Sequence, residues 1–176
     1  MKIAIYLGSF NPFHNGHLEV VKTALNNFKM DKIVIVPSIQ NPWKKEKALN
    51  IDSRIVIIEK SLLNNFWIEL YRLEISDIER NLIPPYYSYA ILHALKNKYC
   101  NDEVFVLCGE DTMEKIPDWM HGEQIIKDYN FLIVDRPKGS ISSTQIRELV
   151  KQGKDISPYV NKKVIDLINE YYKPQS

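Results

Sequence analysis

Two histidines three residues apart sit in the segment Gly8-Ser9-Phe10-Asn11-Pro12-Phe13-His14-Asn15-Gly16-His17, just after the apolar run Ile3 to Leu7. An imidazole N–H can donate to a phosphate oxygen. At the start of a helix, unpaired backbone N–H groups and the helix dipole favour negative charge, so His14 and His17 face the place where an anion binds. Gly8 lets the backbone approach a ligand closely, and Gly16 frees space at the helix start. The segment has neither the G-K-[ST] of a Walker loop nor a GxGxxG fingerprint. Taken alone, an H-x-x-H pair reads first as metal ligands or caps. Here the strand, glycine, loop and helix fall in order and no third ligand is evident, which favours the anion.

A second cluster is Ile141-Ser142-Ser143-Thr144-Gln145-Ile146-Arg147. Ser142 with Gln145 reads as a capping box opening a helix. Hydroxyls, unpaired backbone N–H groups and Arg147 one turn in would make a phosphate cradle. On its own the segment is equally an ordinary capped surface helix. His93, His121, Cys100 and Cys108 join no constellation and read as structural.

These groups need a scaffold. Ile3 to Leu7, Ile33 to Val36, Trp67 to Leu73, Val104 to Leu107 and Phe131 to Val134 read as strands. Leu18, Val21, Leu25 and Phe28 recur on one helical face. Asp52 reads as the cap of a second helix that buries Ile55, Ile58 and Leu62. Ser88 reads as the cap of a third, carrying Leu92, Leu95 and Tyr99. Ser142 to Gln152, stopped by Gly153, and roughly Asn161 to Tyr172 close the chain, the last with Val164, Leu167 and Tyr171 as its apolar face. Continuous apolar strands alternating with helices predict an α/β fold: a Rossmann-like doubly wound parallel sheet in a single domain over residues 1–176, its C-terminal helical part at about 142–172. In such a sheet ligands bind beyond the carboxyl ends of the strands.

The first segment resembles the GxFxPxHxGH signature of the nucleotidyltransferase superfamily, and Ile141 to Arg147 resembles its ISSTxxR motif. Further matches narrow the resemblance to nicotinate-mononucleotide adenylyltransferases. Pro37 to Lys44 is similar to their proline-rich stretch ending in a basic residue. Ser88-Tyr89 after Pro84-Pro85 resembles the start of their SYT segment. Gly109-Glu110-Asp111 with Trp119 and Glu123 resembles their GAD…W…E block, and Arg136-Pro137 resembles their RP. The chain departs from the pattern at Ala90 and Leu92, where Thr and Asp are common, at Glu110 for a small residue, and at Trp43 before Lys44, where His is common.

The resemblance implies transfer of AMP from ATP to nicotinate mononucleotide, giving nicotinate adenine dinucleotide and pyrophosphate. It assigns catalysis to His14, His17 and Arg147. ATP falls to Gly8, Ser9, Phe10, His17, Gly109, Asp111, Ile141, Ser142, Ser143, Thr144 and Arg147. The mononucleotide falls to Lys44, Ser88, Tyr89, Ala90, Trp119 and Arg136. Asp111 reads equally as a cap; for Lys44 the rival reading is a solvated basic loop, and for Trp119 it is a core residue. Mg²⁺ would be held mainly through the ATP phosphates. Rival readings are nicotinamide mononucleotide as acceptor, another adenylyltransferase of this fold such as the pantetheine-phosphate enzyme, and a nucleotide-binding sensor without catalysis.

Composition narrows the partners. Lys plus Arg total 23 against 22 Asp plus Glu, a net charge of +1, so the global basic field of a nucleic-acid binder is missing. Two cysteines make no disulfide framework. No apolar stretch approaches the length of a membrane span. The expectation is a cytoplasmic protein that binds neither nucleic acid nor membrane, with a homo-oligomer compatible with the sequence.

Overall fold

The computed structural model describes residues 1–39, 48–62, 73–76 and 88–174. Strand β1 (Lys2–Gly8) leads through the histidine segment into helix α1 (Asn15–Asn26), and β2 (Lys32–Pro37) follows. Next come α2 (Ile51–Leu62), β3 (Leu73–Ile75), α3 (Ser88–Lys98) and β4 (Glu103–Cys108). A short α4 (Glu110–Met113), a 3-10 turn (Ile116–Asp118) and α5 (Gly122–Asp128) precede β5 (Asn130–Ile133). Helix α6 (Ser143–Lys151), a 3-10 turn (Lys162–Val164) and α7 (Ile165–Tyr172) end the chain.

Two compact units result. One holds residues 1–8, 20–36 and 69–135, and the other holds 9–19, 37–68 and 136–176. The first is built on a five-stranded sheet in the order β3-β2-β1-β4-β5. The pairs β1–β4, β2–β3 and β4–β5 are parallel, with Tyr6 opposite Leu107 and Leu107 opposite Leu132. This is the doubly wound α/β architecture that the apolar strands predict. Ile3, Ile5, Ile33 and Ile35 lose all exposure, as residues of a central parallel strand must. The strand order reverses between β1 and β4, so Gly8 and Gly109 close the two strands that flank the switch point. The core joins the β1, β2 and β4 side chains to Ile91, Leu92 and Leu95 of α3 and Ile125 of α5.

Several local expectations give way. Of the strand expected over Trp67 to Leu73, residues 67–72 lie outside the described residues, as do Trp43, Lys44, Pro84 and Pro85, and the described strand runs Leu73–Ile75. Helix α1 stops at Asn26 because Lys29 turns left-handed at φ 55° and Met30 N–H bonds back to Ala24 O. Met30 then takes the buried place that periodicity gives to Phe28, which is 43% exposed. Asn50 rather than Asp52 caps α2, its Oδ1 accepting from Ser53 N–H at 2.8 Å, and Asp52 lies inside the first turn. The 3-10 start of the last helix shifts its phase. Val164 and Ile168 are fully buried, while Leu167 and Tyr171 sit at the margin.

No helical periodicity marks the path between Gly109 and Asn130, and packing explains it. Gly122 opens α5 so close to the preceding turn that an added Cβ would lie 1.9 Å from Ile116 O. A main-chain carbonyl cannot swing aside as a side chain can. Gly122→Ala is therefore expected to cost about 3 kcal/mol, or about 10 °C in Tm, by thermal unfolding.

Candidate active site

The second unit builds the candidate site from three segments. Phe10, with φ at 44°, bends the chain out of β1 into the loop, a conformation rare for a residue with a side chain. Asn15 N–H bonds to Tyr159 O at 2.9 Å and fixes the start of α1. The two imidazoles then lie against each other, tilted by 33°, with centroids 3.8 Å apart. His17 stacks on Phe13 at 5.3 Å and meets Phe10 edge-on at 5.1 Å.

Main-chain donors orient both rings. Gly16 N–H donates to His14 Nδ1 at 3.1 Å, and His14 N–H donates to His17 Nδ1 at 3.2 Å. A ring nitrogen that accepts carries no hydrogen, so in the neutral tautomer each proton sits on Nε2. Gly16 has no room for a side chain: a Cβ would lie 2.9 Å from His14 Cε1 and 3.2 Å from Arg136 Cδ.

His14 is 2% exposed, and among the described residues its Nε2 has no hydrogen-bond partner. Leaving a buried donor unpaired costs about 1–3 kcal/mol. Burial, reinforced by the Arg136 cation, lowers the His14 pKa to about 4. The ring is therefore an uncharged N–H donor beside a guanidinium, an arrangement that suits an anion.

The same shift makes stability depend on pH. Because the folded value lies below the ordinary 6.5, the unfolded chain binds the proton first as pH falls. The contribution is complete above about pH 6.5 and is lost toward pH 4, by about 3 kcal/mol in all. Urea unfolding of wild type and His14→Gln should diverge over this window, with the variant flatter. Parallel curves would contradict the assignment.

Helix α6 brings the second motif to the loop. Ser142 and Gln145 form the expected capping box: Ser142 Oγ accepts from Gln145 N–H at 3.2 Å, and Gln145 Oε1 accepts from Ser142 N–H at 2.8 Å. Ser143 Oγ donates to Pro12 O at 2.9 Å, and Arg147 Nη1 donates to Asn11 O at 2.7 Å. Arg147 Nη2 also reaches Thr144 Oγ1 at 3.3 Å. The N–H groups of Ser143 and Thr144 lie in the first helical turn and have no acceptor within the helix. The two motifs, about 130 residues apart in sequence, thus meet on one loop.

The other expected site residues occupy these places. Ser9 and Ile141 are half-buried, and Phe10 is buried against His17. Ser88, Tyr89 and Ala90 form the first turn of α3, where the Tyr89 ring lies 4.9 Å from that of His121. Gly109 precedes α4, Asp111 is exposed, and Glu110 N–H is held by Asp135 Oδ1 at 2.7 Å. Trp119 is half-buried against the core of its unit. Lys44 lies outside the described residues.

Three residues with structural weight carry no motif. Arg54 is completely buried and donates to Ser9 O at 2.6 Å, Leu49 O at 2.7 Å and Ile39 O at 3.0 Å. Asn11 Oδ1 accepts from Leu49 N–H at 3.2 Å and from Tyr172 Oη at 2.5 Å. Arg54 does leave a trace in the sequence, as an arginine spaced with Ile57, Ile58 and Ser61 on the buried face of α2.

The sequence pattern of the Cytidylyltransferase-like family matches residues 5–149. The chain belongs to this family. A relative from Fusobacterium nucleatum, named "Probable nicotinate-nucleotide adenylyltransferase", is 35% identical, the match covering 98% of this chain and 99% of the relative. Within the family the chain thus groups with the nicotinate-nucleotide adenylyltransferases. A candidate nicotinate-nucleotide adenylyltransferase from Vibrio parahaemolyticus has the same fold, with TM-score 0.82, 25% identity and coverage of 99% and 98%. The nicotinic acid mononucleotide adenylyltransferase of Plasmodium falciparum, solved in complex with NaAD, shares the fold at TM-score 0.78 and 21% identity, covering 97% and 95%.

Proposed function

We propose that the chain transfers AMP from ATP to nicotinate mononucleotide, releasing pyrophosphate. The observation that carries this reading is the meeting of the His14–His17 pair and the tip of α6 on the Asn11–His17 loop, with the His14 ring N–H buried and, among the described residues, unpaired. The mononucleotide 5′-phosphate oxygen forms a bond to the α-phosphorus of ATP. The bond from that phosphorus to the bridging oxygen breaks, and pyrophosphate leaves with the electron pair. The nucleophile is already an anion, so positioning and charge stabilisation are the protein's task. His14 and His17 donate from Nε2 to oxygens around the α–β bridge. Arg147 and the first-turn N–H groups of α6 hold the β- and γ-phosphates.

The remaining assignments follow the family resemblance. Gly109 and Asp111 take the adenosine side of ATP, and Lys44 and Arg136 take the mononucleotide phosphate. Trp119, with Tyr89 and Ala90, takes the pyridine. Arg136 lies beside His14, which suits a phosphate near the reacting centre. Among the described residues no group of three or more His, Cys, Asp or Glu could cage a metal ion. A divalent ion, Mg²⁺ in this reading, would instead be bound through the substrate phosphates. No described helix is long and apolar enough to cross a membrane. We place the protein in the cytoplasm.

Pyrophosphate release with ATP, Mg²⁺ and each acceptor in turn tests the proposal. Nicotinate mononucleotide is expected to give the highest kcat/KM, ahead of nicotinamide mononucleotide and pantetheine phosphate. Binding of ATP without pyrophosphate release from any acceptor would identify a sensor instead.

A further inference from the structure

Tyr172, near the end of the chain, reaches the histidine loop through one hydroxyl. Its Oη donates to Asn11 Oδ1 at 2.5 Å. Burial pushes the Tyr172 phenol up, more than the Arg54 and Arg147 guanidinium groups pull it down, so the hydroxyl keeps its proton and remains a donor. Asn11 is 9% exposed and serves as a junction. Its side-chain oxygen also takes Leu49 N–H, and its carbonyl takes Arg147 Nη1. The next residue, Pro12, takes Ser143 Oγ, and His14 lies two positions further on. Asn11 falls at a variable position of the GxFxPxHxGH pattern, so no motif gives it or its tyrosine partner a role.

We propose that Tyr172 is a positioning residue: helix α7, through the Tyr172 hydroxyl on Asn11, sets the Asn11–His14 stretch against Arg147 for phosphate chemistry. The inference rests on the phosphate reading of that loop. Removing the hydroxyl leaves a buried amide oxygen with one fewer donor, at the residue whose carbonyl anchors Arg147. The reacting groups stay in place but their mutual geometry loosens, and loosened geometry is felt in the chemical step more than in ground-state binding.

Tyr172→Phe keeps the ring and deletes the donor. Its kcat is expected to fall about five- to tenfold, with the KM for ATP within about twofold of wild type. Asn11→Ser should give a similar loss, and Tyr172→Phe added to it should cost less than about twofold more, because the two residues act as one unit. A readout free of turnover is the His14 imidazole titration by NMR, expected to move upward in Tyr172→Phe as the loop admits water. A wild-type kcat in Tyr172→Phe, or a His14 titration that does not move, overturns the proposal. Should the wild-type protein itself transfer no AMP, the phosphate reading fails, and the His14 titration alone then decides whether Tyr172 sets the loop.

Discussion

Replacing His17 with alanine is expected to lower kcat about 100- to 1,000-fold, the loss seen when one preorganised donor to developing charge is removed. The magnitude follows from how completely the ring is fixed. It lies stacked on Phe13 and edge-on to Phe10, with His14 at 3.8 Å, and its Nδ1 is held by a main-chain N–H. Such a ring pays little reorganisation when charge builds on the α–β bridging oxygen. The KM for ATP should change far less, since the contacts proposed between the triphosphate and Arg147 with the tip of α6 are left intact. His17→Asn, with one donor of shorter reach, is expected to fall between the two. Steady-state kinetics with varied ATP separate these outcomes. A loss below about tenfold, which is about 1.4 kcal/mol, would move the stabilising role away from His17.

Arg54 carries the largest expected effect on folding. A wholly buried guanidinium spends its donors on the carbonyls of Ser9, Leu49 and Ile39, three segments with no regular pairing of their own. Arg54→Met fills much of the volume but leaves those carbonyls without their donor. The expected cost is about 3–5 kcal/mol by urea unfolding. Whole-protein stabilities are about 5–15 kcal/mol, so the variant would lie near the edge of folding. Arg54→Lys should rescue little, because an ammonium cannot reproduce the planar fork that spans three acceptors. A cost under about 1 kcal/mol would show that the loops are held by something else.

The sequence makes the chemistry more legible than its supports. His14, His17, Ser142 and Arg147 stand in short patterns whose residue types suit phosphate, and the capping box forms as its spacing requires. The buried strands are legible for the same reason, since Ile3 to Leu7 and Ile33 to Val36 can only be central to a sheet. Periodicity fails where one turn sets the phase. Met30 replaces Phe28 after a left-handed residue, and Ile168 replaces Leu167 after a 3-10 turn. It is silent on α4 and α5, whose path is dictated by the close approach at Gly122 rather than by an apolar stripe. Asn11 and Tyr172 are 161 positions apart, and a polar contact at that separation leaves no local pattern.

The most direct measurement follows the ring Nε2–H signals of His14 and His17, and the amide signals of Ser143 and Thr144, by NMR as a non-hydrolysable ATP analogue is added with Mg²⁺. If both motifs grip a single triphosphate, all four residues should shift together and saturate with one Kd. Separate dissociation constants, or shifts limited to the imidazoles or to the helix tip, would mean that the two motifs do not serve the same anion.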